Sequence, residues 1–115
     1  MSKLARLIAK EEAFGIPGAI PTTHHNPGDL RHSPHSTHDP STPNAIGQID
    51  TDADGWTDLE RQLVLYAKRG LTLRQMIVDY YAPKEENNSE AYLAFVCKGL
   101  GVTDDCTVTQ ALEIP

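Results

Sequence analysis

The chain has 115 residues and a mass of 12.6 kDa, a size at which one hydrophobic core forms and about 6,200 Å² of surface stays exposed. Ten Lys and Arg against sixteen Asp and Glu give a net charge of −6, which argues against a nucleic-acid binder with its usual basic surface. No run approaches the ~20 apolar residues of a membrane span, so no membrane insertion is expected, and residues 1–115 read as one domain.

The first ten residues are cationic, but charge interrupts them before a signal-peptide apolar region can form. Synthesis in the cytoplasm without an export signal is therefore expected. Within residues 3–14, Leu4, Leu7, Ile8 and Glu11 recur at helical spacing, and Ala5, Ile8, Ala9 and Glu12 repeat it one position later. The pattern predicts a helix with a broad apolar face, closed by two carboxylates and stopped by Gly15 and Pro17. Acids are disfavoured at a helix C-terminus by the macrodipole, which singles out Glu11 and Glu12.

Residues 15–54 hold six of the eight prolines and all five histidines and show no helical period. Pro-Gly at 17–18 and 27–28 and Asp-Pro at 39–40 signal turns, and 44–49 suits a small strand or hairpin arm. A segment this long inside a small domain is usually functional or disordered. Helical period returns after residue 55. Trp56, Leu59, Leu63, Tyr66 and Ala67 form a stripe, with Thr57 and Glu60 as a capping box and Gly70 as a stop. A second box, Thr72 and Gln75, precedes Leu73, Met76, Ile77, Tyr80 and Tyr81, and Pro83 ends that run. Asn88 or Ser89 caps a further helix carrying Leu93, Val96, Cys97 and Leu100, terminated by Gly99 and Gly101. Thr107–Gln110 begins a last short turn. The expectation is a mainly α fold of four or five helices, with a long loop and a small β segment beside a cleft.

Among residues with chemistry, His32, His35 and His38 have a spacing able to ligate zinc. They lie in a Ser-, Thr- and Pro-containing loop, and the reading preferred is a solvated, titratable loop with no metal and no cofactor. Cys97 and Cys106 are too few for a disulfide scaffold and lack metal spacing; they read as two thiols, with a single bridge as the alternative. Asn87-Asn88-Ser89 is a formal glycosylation sequon but reads as a helix cap. Asp50, Asp52 and Asp54 read as helix-start residues, with a catalytic partner acid as the alternative.

The stretch from Glu12 through Pro17-Gly18 to Asn26-Pro27-Gly28-Asp29-Leu30 resembles the lysozyme-like, lytic-transglycosylase-type family of bacteriophage and bacterial cell-wall enzymes. Its pattern is a helix ending in Glu-Gly-Phe, a Pro-Gly turn, then Asn-Asn-Pro-Gly-Asn/Asp-Leu. Ala45–Thr51 with Gly55-Trp56, Tyr81-Ala82-Pro83, Glu86–Tyr92 and Leu100-Gly101-Val102 resemble later segments of that family in the same order, so the likeness spans about residues 4–102. Ala13, where the pattern has Gly, and His24-His25, where Asn or Arg-Asn is usual, depart from it.

The resemblance implies a lysozyme-like α+β fold and peptidoglycan glycan strands as substrate. The implied reaction is cleavage of the β-1,4 bond between N-acetylmuramic acid and N-acetylglucosamine, with Glu12 in the catalytic position. Desolvation on the Ala5/Ile8/Ala9 face, under a roof of Phe14 and the loop, would keep such an acid protonated. One obvious carboxylate favours a lytic transglycosylase, in which Glu12 is acid and then base and the muramic C6 hydroxyl attacks to give a 1,6-anhydro end. A hydrolytic muramidase of the same fold is the alternative. Asn26, Gln48 and Tyr92 are the expected substrate-binding residues, with a structural role as the alternative for each. The resemblance also implies action on the wall after lysis or delivery by a virion or secretion apparatus. A non-catalytic virion module and a metal- or pH-responsive histidine-loop domain are the competing classes.

The charge is segregated. Residues 1–49 carry as many basic side chains (Lys3, Arg6, Lys10, Arg31) as acidic ones (Glu11, Glu12, Asp29, Asp39), so the −6 lies in residues 50–115. Protonated histidines would make the neutral part cationic below their ~6.5 reference pKa, which predicts better activity on an anionic wall at mildly acidic pH.

Overall fold

A computed structural model describes residues 1–83 and 88–115. Helix α1 (Lys3–Glu11) starts at Ser2, whose hydroxyl accepts from the Ala5 N–H at 3.1 Å, the usual device for an orphan helical donor. It ends in a Schellman arrangement: Phe14 N–H donates to Ala9 O at 2.9 Å and Ala13 N–H to Lys10 O at 3.1 Å. That arrangement needs a left-handed residue, and Ala13 supplies it at φ 66°. Glu12, one residue earlier, is fixed at the helix terminus.

The irregular segment holds more order than its composition indicates. Helix α2 (Ile20–Thr23) is a single turn with Pro21 near its start, and Pro43–Ala45 forms a 3-10 turn. The arm expected at 44–49 is reduced to one antiparallel bridge among the described residues, Thr37 with Gln48, made by N–H···O bonds of 2.8 and 2.9 Å. Left-handed Asn44 and Ala45 interrupt the extended backbone before a strand can develop.

Helix α3 (Asp52–Lys68) begins earlier than its apolar stripe indicates. Thr51 is the cap, accepting from Asp54 N–H at 3.2 Å, and Asp52 and Asp54 occupy the first turn, where the helix dipole favours anions. The capping box expected from Thr57 and Glu60 does not form. Thr57 lies inside the helix and donates to Ala53 O at 3.1 Å, and Glu60 accepts instead from the Ser2 N–H. The Thr72–Gln75 box does form, with reciprocal bonds of 3.0 and 3.1 Å. The run it opens passes into a π-helical segment, Gln75–Tyr81.

Asn88 caps α4 (Ser89–Leu100), and Gly101, left-handed at φ 73°, ends it. The motif segment containing Glu86 and Asn87 lies outside the described residues in those two positions. Gly99 is a packing residue inside the helix rather than a stop: a Cβ there would lie 2.6 Å from Leu7 Cδ2, so α1 and α4 meet closely. Helix α5 (Val108–Leu112) has a full Thr107–Gln110 capping box.

The core joins Leu4, Ala5 and Ile8 of α1, Leu59 and Leu63 of α3, Leu73, Met76 and Ile77, Leu93 and Val96 of α4, and Val108 and Ala111 of α5. The exposed surface is 6,105 Å², close to the value expected from mass. The architecture is mainly α. No helix among the described residues is long and apolar enough to cross a membrane. Cys97 and Cys106 are both free thiols.

Candidate active site

A cleft of about 390 Å³ opens between the end of α1, the loop following α2, and the Tyr66, Tyr80 and Tyr81 side chains. The π-helical segment contributes two adjacent tyrosines to it. Such segments widen the helical turn and change which side chains face a neighbour. Tyr81 reaches across to donate to Gly28 O, tying this helix to the loop.

Glu12 lines the cleft, and Tyr92 of α4 donates its hydroxyl to Glu12 Oε2 at 2.9 Å. Burial pushes the Glu12 carboxyl up to about 7; the Tyr92 bond pulls it back, and the negative charges of Asp29 and Glu11 push it up further. Tyr81 and Tyr92 are buried phenols held well above their ordinary range, so both serve as neutral donors. The outcome is a carboxylic acid that keeps its proton close to neutral pH in a cleft lined by aromatic and polar groups. That state suits a general acid. Phe14 does not roof the cleft as expected; it packs edge-on against Trp56 with centroids 5.4 Å apart.

The other expected binding residues lie elsewhere. Asn26 is fully buried, donating to Leu30 O at 2.8 Å and Gly47 O at 2.9 Å and accepting from Leu30 N–H at 3.0 Å. Its amide is a clamp between the Asn-Pro-Gly turn and the bridge segment. Gln48 is outside the cleft lining and donates to Ile49 O at 3.1 Å. Of the three residues expected to bind substrate, Tyr92 alone touches Glu12.

The histidines go to carboxylates rather than to a shared point. His24 Nε2 meets Asp39 Oδ2 at 2.7 Å, His25 Nδ1 meets Asp52 Oδ1 at 2.7 Å, and His35 Nδ1 meets Asp58 Oδ1 at 2.6 Å. His32 lines the cleft and stacks on His38, with centroids 6.1 Å apart. Among the described residues no group of three or more His, Cys, Asp or Glu is arranged to hold a metal. Asp52 and Asp54 are engaged at the start of α3, the latter 3.8 Å from His35.

Two acids carry more of the architecture than their sequence context indicates. Asp58 is 1% exposed and accepts from Ser33 Oγ at 2.6 Å, from the His35 N–H at 2.9 Å and from the His35 ring. Burial pushes its carboxyl up, but these bonds outweigh that and leave it below the usual carboxylate range. Asp58 thus anchors the loop, and its position beside Leu59 on the helix hides this in sequence. Asp29 lines the cleft with Glu12; the only sequence signal for it is its place in the Asn-Pro-Gly-Asp turn.

No protein-family model, no curated protein and no solved structure matches this chain.

Proposed function

We propose that this protein cleaves the β-1,4 glycosidic bond of peptidoglycan, with Glu12 as the proton donor. The observation that carries the reading is the Glu12 carboxyl itself, protonated to about pH 7, oriented by Tyr92 and facing a cleft with three tyrosines. Breaking a glycosidic bond near neutrality requires an acid that still holds its proton when the leaving oxygen needs it. Tyrosine faces are suitable surfaces for sugar rings, with apolar bodies and hydrogen-bonding tips. The motif order from Glu12 to Val102, which resembles lysozyme-like wall enzymes, supports peptidoglycan as the polymer and action on the wall after lysis or delivery.

Purified sacculi incubated with wild type and with Glu12→Gln give the test. Wild type is expected to release soluble muropeptides. The variant removes the transferable proton at nearly constant size and is expected to lose about 10²- to 10⁴-fold in rate. Equal release by both proteins would overturn the assignment.

A further inference from the structure

The cleft contains a second carboxylate held in an unusual state. Asp29 sits at φ 53°, in the left-handed region that non-glycine residues adopt uncommonly, although Asp tolerates it better than most. Its Oδ1 is buried and accepts no hydrogen bond from any described residue. Buried polar atoms are almost always paired, so such an orphan calls for an explanation. Strain and an unsatisfied acceptor persist only where the surroundings impose them.

Those surroundings are explicit. On one side the Asn26 amide holds both the N–H and the C=O of Leu30, at 3.0 and 2.8 Å. On the other, the Tyr81 hydroxyl holds Gly28 O. The Asp29 N–H itself closes the turn onto Asn26 O at 3.0 Å. Residues 28 and 30 are thus pinned from two directions, and the left-handed Asp29 between them lines the same cleft as Glu12. Burial raises its carboxyl above the ordinary range, opposed by His24 and Arg31, and its charge is among those that raise Glu12.

We propose that Asp29 is the base of this cleft, taking a proton from the water that attacks the glycosidic carbon while Glu12 protonates the leaving oxygen. This rests on the glycosidase reading above and makes the reaction a hydrolysis. Glu12 gives its proton to the bridging oxygen, and the bond from that oxygen to C1 breaks with its electron pair on the oxygen. The water oxygen forms the new bond to C1 and releases a proton to the Asp29 carboxylate. Proton return from Asp29 to Glu12 through solvent restores the starting state, with no oxidant or further reactant.

The experiment is digestion of purified sacculi in ¹⁸O-labelled water by wild type, Glu12→Gln and Asp29→Asn, with products read by mass spectrometry. Asparagine tolerates the left-handed backbone, and unfolding curves check that Asp29→Asn folds. As an independent readout, the Glu12 titration is followed by carboxyl NMR in wild type and Asp29→Asn. The expected results are ¹⁸O in a new reducing end for wild type, a loss of about 100-fold or more for Asp29→Asn, and a downward move of the Glu12 titration from about 7. A 1,6-anhydro product from wild type would overturn the role given to Asp29 and leave the glycosidase reading standing. So would wild-type rates in Asp29→Asn when Glu12→Gln is inactive. Absence of any cleavage by wild type would sink both.

Discussion

A carboxyl at the end of a helix ordinarily faces water, where the negative end of the dipole disfavours its charge only mildly. Glu12 is instead drawn into the cleft, where burial raises its proton affinity most, the Tyr92 hydroxyl lowers it, and the charges of Asp29 and Glu11 raise it further. Tyr92→Phe removes the lowering influence and keeps the ring. Glu12 should then hold its proton to higher pH, so the alkaline limb of kcat/KM on a soluble glycan moves upward from near pH 7. A purely structural Tyr92 would lower thermal stability without moving that limb, and the pH profile separates the two. The helix end alone singles out Glu11 and Glu12 together. The choice of Glu12 rests on its place in the motif that resembles lysozyme-like enzymes, and the structure puts its side chain in the cleft lining. Asn26 was legible as important and not as to kind. A turn Asn reads the same whether its amide meets a sugar or, as here, the Leu30 and Gly47 backbone, because the distinction depends on residue 47, which is distant in sequence.

At the scale of elements, the helices were readable wherever an apolar period and a local cap coincide, as in α1, α4 and the Thr72–Gln75 start. The start of α3 is readable in part: Asp52 and Asp54 are helix-start residues as expected, but Thr51 rather than a Thr57–Glu60 box caps the helix. The stripe of α3 begins at Trp56, but Thr51, Asp52 and Asp54 extend the helix a full turn earlier. That extra turn brings Gly55 against the histidine loop, where a Cβ would lie 2.1 Å from His25 O and 2.7 Å from Pro27 Cδ. Both neighbours belong to the backbone or a rigid ring and have little room to move. Gly55→Ala should therefore destabilise by about 3 kcal/mol, the upper end of overpacking costs, measured by urea unfolding. Gly55 stands within a helix, where alanine is otherwise the better residue, so a stabilised variant would contradict this docking. The loop itself was illegible for the same reason the cap was. Its order comes from Asp39, Asp52 and Asp58 reaching histidines across the chain, and no periodicity reports pairs of that kind.

For the whole molecule, these ionisations set a pH dependence of stability with a definite sign. Glu12 rises from 4.5 to about 7 on folding, so between those values the folded state binds a proton that the unfolded state has released. Stability falls as pH rises through that window, and above it the buried charge costs roughly 2 to 3 kcal/mol. His35, raised first by its hydrogen bond to Asp58, acts in the same direction. Its contribution is complete below the unfolded value near 6.5 and fades as pH climbs through the raised folded value. Asp39, lowered to about 2 by bonds from Ser41 and His24, and the lowered Asp58 act in reverse. Their contributions are present above the ordinary aspartate value and are lost as pH falls through their folded values. His24, His25 and His35 thus pair with carboxylates that hold the loop, while His32 lines the cleft and stacks on His38. Wild type should be most stable near pH 5 and weaken toward pH 8. Glu12→Gln, which has no proton to lose, should match wild type near pH 5 and exceed it at pH 8 by about 2 kcal/mol. Urea midpoints across that range give the answer. If the variant tracks wild type at every pH, Glu12 is not the buried acid described above. If it diverges as expected, the fold is sacrificing stability at neutral pH to keep that carboxyl protonated.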